Sequence, residues 1–275
     1  MFEISPISPY RAAARRALRR ASGAGFAAAI VIAGLAAGPS VANADQTAFD
    51  KTQQEAIGAI VKDYLMQHPE VIRDAMQELD RRQQVAESDA KKANVAKYSD
   101  LLFNSKRQVV LGNPNGDVTL VEFFDYNCGY CKRAHADLKQ LMEEDKGLRV
   151  VLKEFPVLGP GSEEAAQVAV VVHEMAPDKY QGFFDELLMS KGEVNGARAL
   201  AVAADIGLDP DAVKARLKEP EVAATINESY GLAQALGING TPTYVLQGDV
   251  VVGAVGYDTL KQKIKSVRDC GQATC

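Results

Sequence analysis

Cys128 and Cys131 stand three residues apart in the stretch Asn127-Cys128-Gly129-Tyr130-Cys131-Lys132. Two thiols at that spacing can close a small ring. The chemistry they suit is exchange: a thiolate attacks a disulfide sulfur, a mixed disulfide forms, and the second thiol resolves it. An ordinary cysteine with a pKa near 8.5 is only about 3% ionised at pH 7. Full ionisation at a pKa near 5 requires about 5 kcal/mol of differential stabilisation. A helix dipole contributes about 0.3–2 kcal/mol, so the free N–H groups of a helix's first turn must add the rest. The pair is therefore expected where a strand passes into a helix. Cys128 is then the exposed nucleophile, Cys131 the shielded resolving thiol, and Gly129 leaves the approach to the sulfur clear. The other chemistries open to this pair are an inert structural disulfide, a soft copper(I) site on Cys128 and Cys131, and half of a Cys₄ zinc site. Haem attachment would need His at position 132, which is Lys132.

The elements around the pair have the periods that this placement needs. Residues 118–124 form an apolar run interrupted only by Glu122, as expected of a central strand buried on both faces. A carboxylate there costs several kcal/mol unless it is protonated or paired; the alternative is an edge position facing solvent. A helix is predicted from about Cys128 through Leu138, Leu141 and Met142. A short strand is predicted at 108–111 and another at 148–155, followed by an Ala- and Val-rich helical stretch over 162–220. A further helix covers 221–236, two strands fall at 243–247 and 250–255 around Gly248-Asp249, and a last helix covers 257–267. That order predicts an α/β sandwich with an inserted helical lid.

Residues 49–103 read as helix. Ile57, Ile60, Val61, Tyr64 and Leu65 make one apolar face, and His68-Pro69 opens a second helix. In that second helix Ile72, Met76, Leu79, Gln83, Ala86, Ala90 and Ala93 follow a coiled-coil spacing that fades from large residues to small and polar ones. This predicts a stalk, residues 45–105, whose first part associates with copies of itself and whose second part flexes; the alternative is packing on its own catalytic domain. Ahead of it, five arginines, an apolar run over 26–37 and Ala42-Asn43-Ala44 match a cleaved signal peptide over residues 1–44. The run is too short for a membrane span, which needs roughly 20 residues. The paired arginines raise a twin-arginine route, but Arg15-Arg16-Ala17-Leu18-Arg19 lacks its second apolar residue. Export to a bacterial periplasm or a similar oxidising space is the expectation.

The chain holds 31 basic and 36 acidic residues, of which five Arg and one Glu lie in 1–44, leaving 26 against 35. An acidic balance disfavours nucleic acid and anionic membrane surfaces as partners. Cys270 and Cys275 are expected to form a small exposed disulfide worth little stability, with a redox relay or a copper(I) site as the alternatives. His135 shares a helix with Cys128, and a surface role is expected for it.

The stretch Glu122-Phe123-Phe124-Asp125-Tyr126-Asn127-Cys128-Gly129-Tyr130-Cys131-Lys132, with Gly240-Thr241-Pro242-Thr243-Tyr244 far downstream, resembles the DsbA-like family of periplasmic thioredoxin-fold proteins. The resemblance covers about residues 108–268 and implies a thioredoxin fold with a helical insertion. It implies a cis bond before Pro242, with Thr241 and Pro242 facing Cys128 and holding an incoming peptide beside Gly129 and Tyr130. It also implies that Glu122 is a buried acid assisting proton transfer at Cys131, with Lys153 as its expected partner across neighbouring strands. The working group would be the Cys128–Cys131 disulfide itself, with no separate cofactor.

Gly129-Tyr130 and Thr241 are similar to the choices of DsbC-type isomerases. Residues 49–82 look like the N-terminal segment of the ScsC (suppressor of copper sensitivity) subgroup, some members of which trimerise. The implied protein is a periplasmic disulfide isomerase or reductase acting on exported cysteine-containing proteins. It would be a homo-oligomer, a trimer in this reading, kept reduced by a membrane thiol donor of the DsbD/ScsB type. The rivals are a dithiol oxidase recharged by a DsbB-type partner, a copper(I) carrier and a holdase chaperone.

Overall fold

A computed structural model describes residues 49–275; the expected signal peptide over 1–44 lies outside the described residues. Of the two units into which the chain divides, the first contributes only residues 49–63 among those described. The second, residues 64–275, holds the sheet and the cysteines.

Five strands form one sheet: β1 (Val109–Gly112), β2 (Val118–Phe124), β3 (Leu148–Glu154), β4 (Thr243–Leu246) and β5 (Asp249–Val252), in the order β1-β3-β2-β4-β5. β2 runs parallel to β3 and antiparallel to β4, while β1 and β5 close the edges antiparallel to β3 and β4. The parallel pair requires a crossover, supplied by α4 (Gly129–Glu144). Because side chains alternate across a strand, the two faces of the sheet build different cores. Leu120, Phe124, Val150, Leu152 and Tyr244 face the core shared with α4 and α10 (Tyr257–Cys270). Val121, Phe123, Val151 and Val245 face the other, closed by Leu232 and Leu236 of α9 (Pro220–Leu236). This is the α/β thioredoxin fold.

The expected insertion is four helices: α5 (Pro160–Met175), α6 (Tyr180–Leu188), α7 (Gly196–Asp205) and α8 (Pro210–Arg216). Phe184 of α6 meets Phe124 and Tyr126 edge to face, with ring centroids 5.0 and 6.2 Å away, which ties the insertion to the end of β2 just ahead of the cysteines. His135 departs from its expected surface role. It is buried against Phe184, and its Nε2 lies 3.1 Å from Asp185, joining α4 to α6.

Two helices precede the sheet, α1 (Lys51–Gln67) and α2 (Glu70–Lys97), followed by the short α3 (Ser99–Phe103). Pro69 sits at the N-cap of α2, as its fixed φ suits. Ile72, Met76 and Leu79 of the predicted seam are exposed. The end of α2 is not a flexing linker. Asn94 Nδ2 donates to the Ala235 carbonyl at 2.9 Å, and Val95 and Leu102 are buried with α9 and β2 in the second core. Along the predicted seam, residues 83–93 offer only Gln83, Ala86, Ala90 and Ala93, and the anchoring comes just after them. Residues 94–103 thus belong to the packed domain, ahead of the boundary expected at 105.

Leu102→Ala is expected to cost about 2–5 kcal/mol of unfolding free energy, as a core truncation does. Urea unfolding of the reduced protein measures this. A loss below half a kcal/mol would show that α3 is a linker after all.

Candidate active site

Cys128 is the N-cap of α4, with φ −76° and ψ 112°, and its sulfur accepts from the Cys131 amide at 3.4 Å. That is the position of a serine or aspartate oxygen in an ordinary cap, satisfying one of the unpaired donors of the first turn. The Asp125 carbonyl accepts from the Cys128 amide at 3.0 Å and so fixes the turn that leads into the helix. Opposite, the Thr241–Pro242 peptide is cis, and the Thr241 carbonyl accepts from the Cys128 thiol at 3.1 Å. Thr241 and Pro242, distant in sequence, therefore meet the redox pair. Thr243 Oγ1 donates to the Gly240 carbonyl at 2.8 Å, and the Gly253 amide donates to the Pro242 carbonyl at 2.8 Å, holding this loop on both sides.

Both cysteines are free thiols, and both are buried. Cys128 is only 5% exposed, so the nucleophile is more enclosed than the sequence implied. The loop before Pro242, remote in sequence, brings the Thr241 carbonyl against it. The Cys128 thiol falls from its ordinary 9.0 to about 5. The hydrogen bond from the Cys131 thiol is the main cause; burial opposes it, and the Thr241 side chain and the amides of Cys131 and Tyr130 add to it. The Thr241 carbonyl favours the protonated thiol, but the donors outweigh it. At pH 7 such a fall favours the reduced pair. The Cys131 thiol is pushed far upward, because its proton is held by the Cys128 sulfur, because it is buried, and because Glu122 lies near. The two sulfurs are unequal: one is disposed to ionise and the other to keep its proton.

Glu122 lies in the middle strand and is 3% exposed, so the edge alternative falls. Burial lifts its carboxyl to about 8, the Tyr244 hydroxyl draws it partly back, and the charge of Cys128 adds to the rise. Lys153 is not its partner. In the β2–β3 register Glu122 lies opposite Leu152 and Lys153 lies opposite Phe123, which turns the lysine to the other face of the sheet. There Lys153 Nζ binds the Leu101 carbonyl at 2.8 Å and Glu228 Oε1 at 3.1 Å. Its place is the second core, away from the sulfurs. Gly129 and Tyr130 are exposed, and Tyr130 carries the Arg133 guanidinium 4.2 Å above its ring. Beyond its chain neighbours, a Cβ at Gly129 would meet only the tip of Arg133 at 4.0 Å.

Several residues outside the expected set position the pair. Asp125 accepts from Ser162 Oγ and the Asn127 amide at 2.7 Å each, and from the Leu158 amide at 3.0 Å. Asn127 bridges to Val194 of the insertion, giving to its carbonyl and taking from its amide, both at 2.7 Å. Lys132 Nζ reaches the Ser190 carbonyl at 2.8 Å. Together these bonds clamp the cysteine turn to the helical insertion. Glu154, two residues beyond Leu152 on the Glu122 face, accepts from Tyr126 at 3.1 Å and Tyr180 at 2.9 Å, and burial lifts it to about 8 as well. Its signal in the sequence was a carboxylate inside a predicted strand, as for Glu122, though here directly after Lys153.

Cys270 and Cys275 are joined in a disulfide, so the second pair offers no thiolates for a Cys₄ zinc site. The tail is better anchored than expected: Ala273 is buried, and its amide donates to the Gln247 carbonyl at 3.1 Å. Among the described residues no cluster of three or more His, Cys, Asp or Glu is placed to hold a metal ion, and no helix is long and apolar enough to cross a membrane.

A dithiol at a strand-to-helix turn, facing a cis-proline loop beneath a helical insertion, defines a class of thioredoxin-fold redox domain. Residues 119–265 match the DSBA-like thioredoxin domain, and residues 53–86 match the copper resistance protein ScsC N-terminal domain. The chain belongs to the DSBA-like thioredoxin domain family. Among solved structures, a thioredoxin-like oxidoreductase from Silicibacter pomeroyi is 42% identical (TM-score 0.60), the match covering 62% of this chain and 98% of that one. The thiol-disulfide exchange protein alpha-DsbA2 of Wolbachia pipientis is 31% identical (TM-score 0.62), with 66% and 98% covered. A linker-deleted variant of Proteus mirabilis ScsC is 25% identical (TM-score 0.62), with 82% and 99% covered. Among curated proteins, disulfide bond formation protein D of Bacillus subtilis is 26% identical over 170 residues, 58% of this chain and 77% of that protein. A Na(+)/H(+) antiporter, NhaA 1 of Salinispora arenicola, is 30% identical over 164 residues, and the match spans only 24% of its length.

Two titrations test this site. Thiolate absorbance of the reduced protein is expected to rise with a midpoint near pH 5, and Cys131→Ala is expected to raise that midpoint by about one pH unit by removing the main donor. An unmoved midpoint would refute the assignment of Cys131 as that donor. Second, Glu122 and Glu154 keep their protons in the fold up to about pH 8, whereas the unfolded chain releases them near 4.5. Their contribution to stability is therefore full below about pH 4.5 and is lost as pH rises towards 8. In the oxidised protein, Glu154→Gln should flatten that decline in urea midpoints between pH 5 and 8. An unchanged slope would mean that Glu154 is ionised in the fold.

Proposed function

We propose that this protein is an exported, periplasmic thiol–disulfide oxidoreductase that works as a disulfide isomerase or reductase on exported cysteine-containing proteins. The observation that carries the redox reading is the Cys128 sulfur held at the start of α4, with the Thr241 carbonyl and cis-Pro242 beside it. The Cys128 thiolate attacks a substrate disulfide; one substrate sulfur joins Cys128 and the other leaves as a thiol. Cys131 then passes its proton to Glu122 and attacks the Cys128 sulfur, which oxidises the dithiol and frees the reduced substrate. In isomerisation the substrate's own thiol resolves the mixed disulfide and Cys128 returns as thiolate. Thr241 and Pro242 present backbone groups to an extended peptide, and Gly129 and exposed Tyr130 lie along its path.

The isomerase direction is favoured by the N-terminal helices. Ile72, Met76 and Leu79 are 48%, 61% and 55% exposed at coiled-coil spacing, and Ile57, Ile60 and Val61 of α1 are exposed too. Apolar stripes of this kind are covered by other copies in an oligomer, a trimer in this reading, whose several active sites share one substrate. The match of residues 53–86 to the ScsC N-terminal domain supports the same assignment. A membrane thiol donor of the DsbD/ScsB type would keep the pair reduced, and the thiolate already favours that state.

The test is reactivation of scrambled ribonuclease by the mature protein and by the triple variant Ile72→Glu, Met76→Glu, Leu79→Glu, with mass measured by light scattering. The variant is expected to be monomeric, to lose most isomerase activity and to keep dithiol oxidation. Full isomerase activity in a monomer would overturn the oligomer argument. A Cys128/Cys131 pair found mostly oxidised in cells would replace the isomerase reading with an oxidase.

A further inference from the structure

Tyr244 lies directly opposite Glu122 in the antiparallel β2–β4 register, so both side chains rise from the same face of the sheet. It is fully buried, and its hydroxyl is without a hydrogen-bond partner among the described residues. A buried phenol in that condition costs free energy unless some state of the protein gives it an acceptor. The groups that face it are few. From β2 comes Glu122; from α4 come Cys131 and, at the outer end, half-buried Asp137. β3 presents Leu152 to Glu122, and α10 presents the apolar Leu260, Ile264 and Val267 to this core. Lys153, the cation expected here, is on the opposite face. The polar surroundings of Glu122 therefore reduce to the two cysteines and one phenol.

We infer that Tyr244 is the positioning residue for Glu122: its hydroxyl donates to the carboxylate at the step when Cys131 must give up its proton. This rests on the reading of Glu122 as the proton acceptor and deepens it. With its hydroxyl otherwise unpartnered, the phenol has its donor to spare for Glu122. When Glu122 is ionised, the Tyr244 O–H is the donor that stabilises the charge and keeps one carboxylate oxygen free for Cys131. The proton moves from Cys131 Sγ to Glu122. The Cys131 thiolate bonds to the Cys128 sulfur, and the bond from Cys128 to the substrate sulfur breaks. The substrate thiolate departs with the electron pair, so the dithiol is oxidised and the substrate disulfide reduced. Tyr244 keeps its own proton throughout.

The sign of the effect follows. Glu122 is held at about 8 with the phenol drawing it downward, so removing the phenol leaves the carboxylate less available at neutral pH. The experiment uses the reduced mature protein and an aryl disulfide reagent (dithiobis-nitrobenzoate), followed by stopped-flow absorbance. The first thiolate released reports attack by Cys128, and the second reports resolution by Cys131. Tyr244→Phe is expected to move the inflection of the second phase about one pH unit upward, slowing it about 3- to 10-fold at pH 7, and to leave the first phase and the Cys128 titration in place. Glu122→Gln should abolish the inflection, and Tyr244→Phe added to it should change nothing more.

If Glu122→Gln removes the inflection and Tyr244→Phe leaves it where it was, the Tyr244 assignment alone is overturned. If Glu122→Gln leaves it unchanged, the acceptor reading falls and this one with it. An equal upward shift of the Cys128 titration in Tyr244→Phe also overturns the assignment, since it means a general disturbance of the site. Site-specific 3-fluorotyrosine at position 244 keeps the shape and strengthens the donor, so it should shift the inflection downward. That arm decides the matter even if the phenylalanine variant does not fold, and an unmoved inflection there counts against Tyr244.

Discussion

A sulfur atom occupies the cap of a helix whose first amides have no other partner within the helix, and the rest of the molecule serves that contact. The Cys128 sulfur accepts from the Cys131 amide and shares the Cys131 proton, and it does so with little exposed surface. Burial alone would raise a thiol; donors aimed at the sulfur reverse the sign. Two neighbouring thiols then become unequal. Cys128 is disposed to ionise at neutral pH, and Cys131 to hold its proton. Thiol exchange in two ordered steps needs that inequality.

Holding such a turn rigid takes bonds from remote parts of the chain. Asp125 and Asn127 engage Ser162 and Val194, and Lys132 engages Ser190, so the insertion acts as a brace. On the other side the loop before Pro242 brings the Thr241 carbonyl to the sulfur. The sheet beneath carries two buried acids, Glu122 and Glu154, each held up towards neutrality by burial. A neutral acid in a core costs less than a charged one, but it ties stability to pH. Glu154 is satisfied by two tyrosines, which makes it structural. Glu122 has a single tyrosine opposite it, Tyr244, and sits beside the sulfurs.

The N-terminal region divides by physical role along one helix. The early turns of α2 present Ile72, Met76 and Leu79 to solvent, and the last turn sinks Val95 into the second core. The Leu101 carbonyl binds Lys153 from β3, so the catalytic domain depends for part of its core on residues that precede its first strand.

Local pattern alone was enough for much of this. The spacing of Cys128 and Cys131, the apolar run of β2 with its single carboxylate, and the Gly-Thr-Pro turn far downstream are written in contiguous residues, and the strand and helix limits followed to within a few positions. Local period decides such elements because burial on one face or two is imposed residue by residue. What only the tertiary structure decided were relations between strands and across the insertion. The parallel register of β2 and β3 turned Lys153 away from Glu122, and β4 set Tyr244 there instead. Bonds from Ser162, Ser190 and Val194 braced the residues that flank Cys128, and packing on α9 drew the end of α2 into the core. A shift of one residue in register exchanges the faces of a strand, and no single segment carries the information that sets it.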